Sequence, residues 1–463
     1  SHSSFSPLQS PKRISEGDCS IAHSLFPYIR RFGKNRMTRI TTDFGQPLTP
    51  ESKKLVAEVR AKLKEKIHPQ FDTDFNIYRF IINSERLHKK EKDVVDFAVK
   101  ALNNHLRIRR AFKLDTDRVK TFDENPVFTK NLMPRGDIQV DMIDKHNRLM
   151  WYIDYASVTV ETLAHTEKSS SSVKFQFWQF EYMLRLVMAQ EAKTGKLSGL
   201  HHIIDMAGYE INPFTMLFVS SGTMSYYTQL FHYENFPELV SPGSMVNIAR
   251  WIWLPYKLVK PVMPAGFADR FILHDSSFYP ALKEEVGDEH IPVSLGGKNT
   301  EIKCIPAIKK GEDEYWKPKD SVLLDSLESI HVHARKKKHI RVDVNEVGKK
   351  ISWYFRTDGD VYFGIFFVEG SGETIEEAKK EKKEEIDTEE MEMVYPYWKL
   401  TAKLVHERDE LVCEKTGRYY LVFGNEHSWL TKRGVDLIVN LEKGDSKKRV
   451  HADNSQTVST IEF

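Results

Sequence analysis

The segment 248–263 has the side chains to meet a lipid surface. Trp251, Trp253, Leu254 and Leu258 are large and apolar, Arg250, Lys257 and Lys260 stand among them, and Pro255 and Pro261 break any regular element. Cations in such a segment sit near lipid phosphates while the aromatic rings enter the interface. The same composition also suits a buried connection between two strands, because tryptophans and prolines beside lysines are weak membrane evidence by themselves. His331 and His333 lie two apart on a predicted strand and share a face, but no third ligand accompanies them, so no metal site is read. The run Arg335-Lys336-Lys337-Lys338-His339 suits either an anionic membrane or a solvated turn. Gly370-Ser371-Gly372 lacks the third glycine of a nucleotide fingerprint, and no GxSxG, P-loop or HExxH motif is present. With no nucleophile, base and orienting residue to assemble, the expectation is a non-catalytic protein without metal or cofactor.

The elements that must position these residues come from a chain too long for one core. At 463 residues, several domains are expected. The 68 Lys plus Arg nearly cancel the 66 Asp plus Glu, so no global field draws in nucleic acid. Cys19, Cys304 and Cys413 are too few and too scattered for a disulfide framework, and the first forty residues lack a signal-peptide core; a cytoplasmic protein is expected. The uncharged stretch 211–233 is long enough to span a bilayer, but Asn212, Pro213, Gly222 and several Ser and Thr argue for burial among neighbours.

Residues 1–49, rich in Ser, Pro and basic side chains, read as a disordered tail. Leu55, Val56, Val59 and Leu63 then recur at helical spacing behind Thr49 and Pro50, and amphipathic segments follow at 75–83 and 91–112, giving a helical unit over 50–115. A hairpin is predicted from 138–142 and 149–155 around the polar turn Asp144-Lys145-His146-Asn147. A long helix over 172–193 and apolar runs at 201–206, 244–249 and 270–274 alternate in the manner of a largely parallel sheet, which assigns 116–299 to an α/β domain. After Gly296-Gly297 the pattern becomes all-β: a hairpin with Asp358-Gly359 at its tip joins 351–356 to 361–368, and strands follow at 418–423 and 434–441. A β-sandwich over 300–441 and a flexible tail over 442–463 complete the expected layout, with the acidic stretch 373–392 as a surface insertion.

Several of these segments resemble the CRAL-TRIO lipid-transfer family. The resemblance rests on Ile203-Ile204-Asp205-Met206-Ala207-Gly208, on Asn235-Phe236-Pro237-Glu238 in place of an Asn-Tyr-Pro-Glu signature, on the 247–261 segment as the gate, and on the closing Leu295-Gly296-Gly297. The C-terminal half is similar to a GOLD domain through Ile351-Ser352-Trp353-Tyr354-Phe355 and Gly417-Arg418-Tyr419-Tyr420-Leu421. This tandem is the layout of the SEC14-like subgroup, and it implies a multidomain fold: helical cap, mostly parallel sheet with a gate helix, then a GOLD jelly-roll or β-sandwich.

The resemblance further implies that Glu238 and Arg270, 32 positions apart, match the acidic and basic residues that hold inositol phosphate headgroups. Arg offers a phosphate five donors, and a carboxylate accepts from sugar-like hydroxyls; the two groups could equally pair as a structural salt bridge. Phe267 stands where inositol binders carry a hydroxyl, which leaves room for a more apolar, tocopherol- or sterol-like ligand. Trp151 and Ile153, with Tyr227 and Tyr233, are expected to line the pocket or to pack as plain core, and the gate would touch the membrane through Trp251, Trp253, Leu254, Lys257, Leu258 and Lys260. The implied function is binding and transfer of a phospholipid, phosphatidylinositol among the candidates, by a cytoplasmic protein that visits membranes such as the Golgi and docks a protein partner through the GOLD half. The alternative is an adaptor in secretory traffic whose pocket stays filled.

Overall fold

The computed structural model describes residues 42–210, 235–249, 270–370 and 387–452. Three helices come first: α1 (Pro50–Lys62), α2 (Asp74–Leu87) and α3 (Glu91–Ala111). Thr49 caps α1 by accepting from the Ser52 N–H, and Thr73 does the same for α2 at Asn76, satisfying donors that a helix start leaves unpaired. Their apolar stripes, Val56 and Val59, Ile77 and Ile81, Val95 and Leu102, are buried against one another. Order begins ahead of α1, where a disordered tail was expected: Thr42 and Leu48 are buried, and Thr42 bonds to Tyr78 and Ser52.

The short helix α4 (Pro126–Thr129) and strand β1 (Arg135–Gly136) lead into a five-stranded sheet. Its strands are β2 (Ile138–Ile143), β3 (Leu149–Asp154), β4 (Leu200–Asp205), β5 (Val240–Val246) and β6 (Phe271–Leu273), in the order β2-β3-β4-β5-β6. Only β2 is antiparallel; β3 to β6 run parallel, as the alternating pattern required. β5 starts four residues earlier than the apolar run suggested and stops at Val246, because Asn247 turns the chain with a φ of +53°. Between β3 and β4 lie α5 (Val160–Thr166) and α6 (Ser169–Thr194); Gly195, at φ +67°, closes α6 in a conformation that a side chain would strain. Leu149, Trp151 and Ile153 face the helical core, while Met150 and Tyr152 face α7 (Phe278–Val286) together with Ile203 and Val246.

The C-terminal half is a sandwich of two antiparallel sheets. One has the order β12 (Glu392–Thr401), β11 (Asp360–Glu369), β14 (Gly417–Gly424), β9 (Lys337–Val344). The other places β13 (Glu407–Val412) beside β10 (Lys350–Thr357) and β10 beside β15 (Arg433–Lys443), with both β8 (Glu328–Val332) and β16 (Ser446–Val450) on β15. Ile351, Trp353 and Phe355 point inward and their neighbours outward, as alternation predicts. On β11, however, Phe363 to Phe367 are all buried, because α3 covers the outer face: Arg107 lies over the Phe366 ring and donates to the carbonyls of Thr388 and Met391 at 2.6 and 2.8 Å.

Both expected edges of this half move. β15 and β16 carry the sandwich through Val450, where a flexible tail had been expected from 442. Residues after 300 first pack on the α/β half: β7 (Cys304–Ile305) pairs with β1, and Trp316 N–H donates to the His165 carbonyl, before α8 (Ser321–Asp325) leads into β8.

The long helix α6 ties the halves together. Phe177 on it packs between Phe112 and Trp398 of β12. At its start, buried Glu407 of β13 accepts from the Ser170 N–H and the Ser169 hydroxyl, both at 3.0 Å. The sandwich thus supplies the carboxylate that satisfies the N-terminus of the helix packed under the α/β sheet.

Candidate functional site

Glu238 and Arg270 come together at one edge of the α/β sheet. Each stands just ahead of a parallel strand, Glu238 before β5 and Arg270 before β6, and the pairing of Gly243 with Phe271 brings the two strand starts side by side. The carboxylate of Glu238 is fully buried and its backbone is left-handed at φ +57°. Arg86, near the end of α2, holds it with two parallel bonds, Nε to Oε1 at 2.7 Å and Nη2 to Oε2 at 2.8 Å. Arg270 Nε lies 3.5 Å from Oε1, and Arg270 Nη2 donates to the side-chain oxygen of Asn83. One carboxylate therefore sits between two guanidiniums, one from the helical unit and one from the sheet.

The four residues Asn235-Phe236-Pro237-Glu238 build this junction. Asn235 is buried, and Phe236 packs edge-to-face with His105 of α3 at 5.3 Å and against Phe177 and Phe180 of α6. Burial drives the His105 pKa well below its ordinary range, so the imidazole is neutral in this contact. Phe236, Leu239 and Val240 are sealed in the same core, which fixes where Glu238 can reach.

Arg86 and Asn83 were missed by sequence reasoning. They lie three apart on α2, hence on one helix face, at the polar end of an otherwise apolar helix. That i, i+3 polar pair was the available signal, but its partner is 152 positions away.

Trp151 and Ile153 are buried on the helix-facing side of β3. The Trp151 indole stacks on His202 with centroids 3.8 Å apart, and its Nε1 donates to the Gly136 carbonyl at 2.9 Å. Burial lowers the His202 pKa to about 3. Tyr227, Tyr233, Phe267 and the gate residues Trp251, Trp253, Leu254, Lys257, Leu258 and Lys260 lie outside the described residues.

On the opposite face of the sheet the fold assembles a group that no motif signalled. His201 Nδ1 is 3.1 Å from Asp144 Oδ2, and its Nε2 is 2.8 Å from Ser244 Oγ. The connectivity resembles a nucleophile-base-carboxylate relay, but Ser244 is 1% exposed and His201 and the Asp144 carboxylate are sealed. Asp144 also accepts from the backbone N–H groups of His146 and Arg148, so it closes the β2–β3 turn. Asp144, His201 and Glu285 place one ligand atom each within 4.8 Å, yet Arg148 and Lys145 already compensate these carboxylates, which disfavours a further cation. The group reads as a buried polar lock between β3, β4 and β5.

Among the described residues, no helix is long and apolar enough to cross a membrane. Comparison with known proteins bears on this architecture. The CRAL/TRIO domain family matches residues 137–297, a domain of unknown function matches 48–117, and a C-terminal domain family named after F28H7.8 matches 314–450. The chain is 23% identical over 395 residues to the CRAL-TRIO domain-containing protein F28H7.8 of Caenorhabditis elegans, covering 85% of this chain and 91% of that one. It is 24% identical over 352 residues to the CRAL-TRIO domain-containing protein C34C12.6 of the same organism, covering 70% and 84%. Among solved structures, Sfh5 aligns with a TM-score of 0.37 at 14% identity, over 55% of this chain and 89% of that one.

Proposed function

We propose that this protein binds one membrane lipid and moves it between bilayers, with Glu238 and Arg270 at the headgroup, a reading supported by the match of residues 137–297 to the CRAL/TRIO domain family. The carrying observation is the buried cluster at the starts of β5 and β6, where Arg86 and Arg270 flank a single carboxylate. Two guanidiniums supply the planar donors that a phosphate accepts, and Glu238 orients them. A phospholipid, with phosphatidylinositol the first species to test, fits that chemistry. On this reading the segment 248–263 is the gate, its tryptophans and lysines meet the bilayer, and the protein is cytoplasmic with transient membrane contact. The C-terminal sandwich, as a GOLD-like module, would dock a protein partner.

A vesicle-to-vesicle transfer assay with labelled phosphatidylinositol tests this. Arg270→Ala is expected to lower phosphatidylinositol transfer at least tenfold while the melting temperature shows a folded protein, and a double Trp251→Ala, Trp253→Ala variant is expected to slow transfer of every lipid. Unchanged transfer by folded Arg270→Ala would remove the headgroup assignment.

One observation favours a second reading: both oxygens of Glu238 already bond to Arg86. There the cluster only fastens α2 to the sheet, and the ligand is a more apolar, sterol- or tocopherol-like molecule. Equal loading of phosphatidylinositol by wild type and Arg270→Ala, together with a sterol in the extract, would favour it.

A further inference from the structure

The end of the β-sandwich carries two large apolar side chains that stand mostly in solvent. Trp429 is 73% exposed and Leu430 is 93% exposed, adjacent in the loop between β14 and β15. A soluble surface tolerates scattered apolar residues, but a tryptophan and a leucine side by side at a loop apex expose far more apolar area than the loop needs to fold. The turn is held without them. Asn425, fully buried, donates to the carbonyls of Val332 and Thr431 at 3.0 and 2.8 Å, and Ser428 Oγ bonds to the Thr431 carbonyl at 2.9 Å.

The neighbouring loop, between β8 and β9, is laced to the same turn. Arg335 N–H donates to the Asn425 carbonyl at 3.0 Å and Asn425 N–H to the Lys336 carbonyl at 2.9 Å. This puts the Arg335 guanidinium over the Trp429 ring, 3.2 Å from its centroid. Arg335 and Lys432 are exposed beside the two apolar side chains. Among the described residues, Asp358 accepts from Gly434 N–H, Asp360 pairs with Lys399, and Glu426 pairs with Tyr397 and Lys337.

We propose that this tip is a membrane-docking site for anionic lipid bilayers, with Trp429 and Leu430 entering the interface and Arg335 and Lys432 resting on headgroup phosphates. Cations beside an apolar apex are complementary to such a surface: the apolar pair gains by leaving water and the cations gain from the negative leaflet. Because Asn425 and Ser428 already satisfy the Thr431 carbonyl and Arg335 and Asn425 pair across the loops, the apex can approach the acyl region without carrying unpaired backbone groups at these positions. The loop is also held in shape beforehand, so little ordering opposes binding. The basic run beginning at Arg335 thus gains a role that its sequence left open between membrane and solvated turn. The inference rests on the sandwich alone and survives whether or not the CRAL/TRIO domain carries a lipid.

The test is co-sedimentation of the full chain with vesicles of phosphatidylcholine alone and of phosphatidylcholine with phosphatidylserine. Wild type is expected to prefer the anionic vesicles, with the preference falling as salt rises. The double variant Trp429→Ser, Leu430→Ser is expected to bind at least tenfold more weakly, and Arg335→Gln or Lys432→Gln about fivefold more weakly each. Val322→Ser, equally exposed but on α8, ahead of the start of β8 and not past its end, is expected to bind like wild type. Binding unchanged in the double variant would overturn the proposal even if vesicle association itself persists through the gate. Absence of wild-type binding would also overturn it and would leave the tip to a protein partner.

Discussion

The α/β half and the β-sandwich are held together by different means. In the α/β half, ion pairs are inside: Arg79 with Glu191, Arg109 with Glu181 and Asp115, and Arg86 with Glu238, with every one of these side chains at most 12% exposed. In the sandwich the described pairs are more exposed, as between Lys350 and Glu410 or Arg356 and Asp436, and the interior is aromatic: Trp353, Phe355, Phe363 and Phe423 pack with centroids 5.0 to 5.6 Å apart. Buried ion pairs add little net stability, because desolvation offsets the attraction, but removing one partner strands the other. The α/β half is therefore specified by charges that must find distant partners, whereas the sandwich is specified by which side of each strand is apolar.

The sharpest way to break this contrast is to remove a buried carboxylate. Glu181→Ala leaves the buried Arg109 with Asp115 alone and takes a carboxylate from Arg185, and is expected to cost up to about 3–5 kcal/mol in denaturant unfolding. Glu238→Ala should cost a similar amount and also lower lipid loading of the folded fraction, which Glu181→Ala should not; equal loading in both would make the Glu238 cluster purely structural. In the sandwich, Leu437→Ala is expected to cost about 2–5 kcal/mol through a cavity, with no change in lipid content.

Next is the contact that spans both halves. Glu407→Ala leaves the α6 N-terminus and the Ser169 and Ser170 hydroxyls short of an acceptor, with an expected cost of about 1–3 kcal/mol. Splitting of one unfolding transition into two in this variant would show that Glu407 couples the halves; a single transition would assign the coupling to the aromatic contacts around Trp398.

Acid affects both halves with the same sign. Burial lowers the pKa of His202 to about 3 and that of His105 well below its ordinary value; in the sandwich, burial lowers His427 to about 3 and His406 to about 4. Below pH ~6.5 the unfolded chain takes up protons that these folded sites refuse, so stability falls as pH falls. Each site is expected to remove about 1 kcal/mol between pH 6.5 and 5.5. His202→Phe, read by the slope of stability against pH, should flatten that dependence by one site. The smallest effect belongs to the surface: Lys350→Ala should change stability by less than about 0.5 kcal/mol despite its 2.7 Å bond to Glu410.

This contrast also decides what could be read from the sequence. Alternation placed Trp353 and Phe355 on the buried face, and Asp358-Gly359 marked the hairpin, since both signals are local. The parallel sheet and the helical unit were legible for the same reason. The Arg86–Glu238 pair was not, because no spacing rule links positions 152 apart, and the Asp144–His201–Ser244 lock likewise depends on three strands coming side by side. The sandwich edges were misjudged where tertiary contacts override composition: Ser446–Val450 is polar and charged, yet it completes a sheet on β15. Residues 300–320 were assigned to the sandwich but pack on the α/β half.

The central claim, that the domain matching the CRAL/TRIO family carries a lipid, is tested most directly by mass spectrometry of an organic extract of the purified full chain, with a mock purification from the same cells as control. A phospholipid present at about one molecule per chain, and depleted in folded Arg270→Ala, is the expected result. A folded protein whose extract matches the mock would contradict the account.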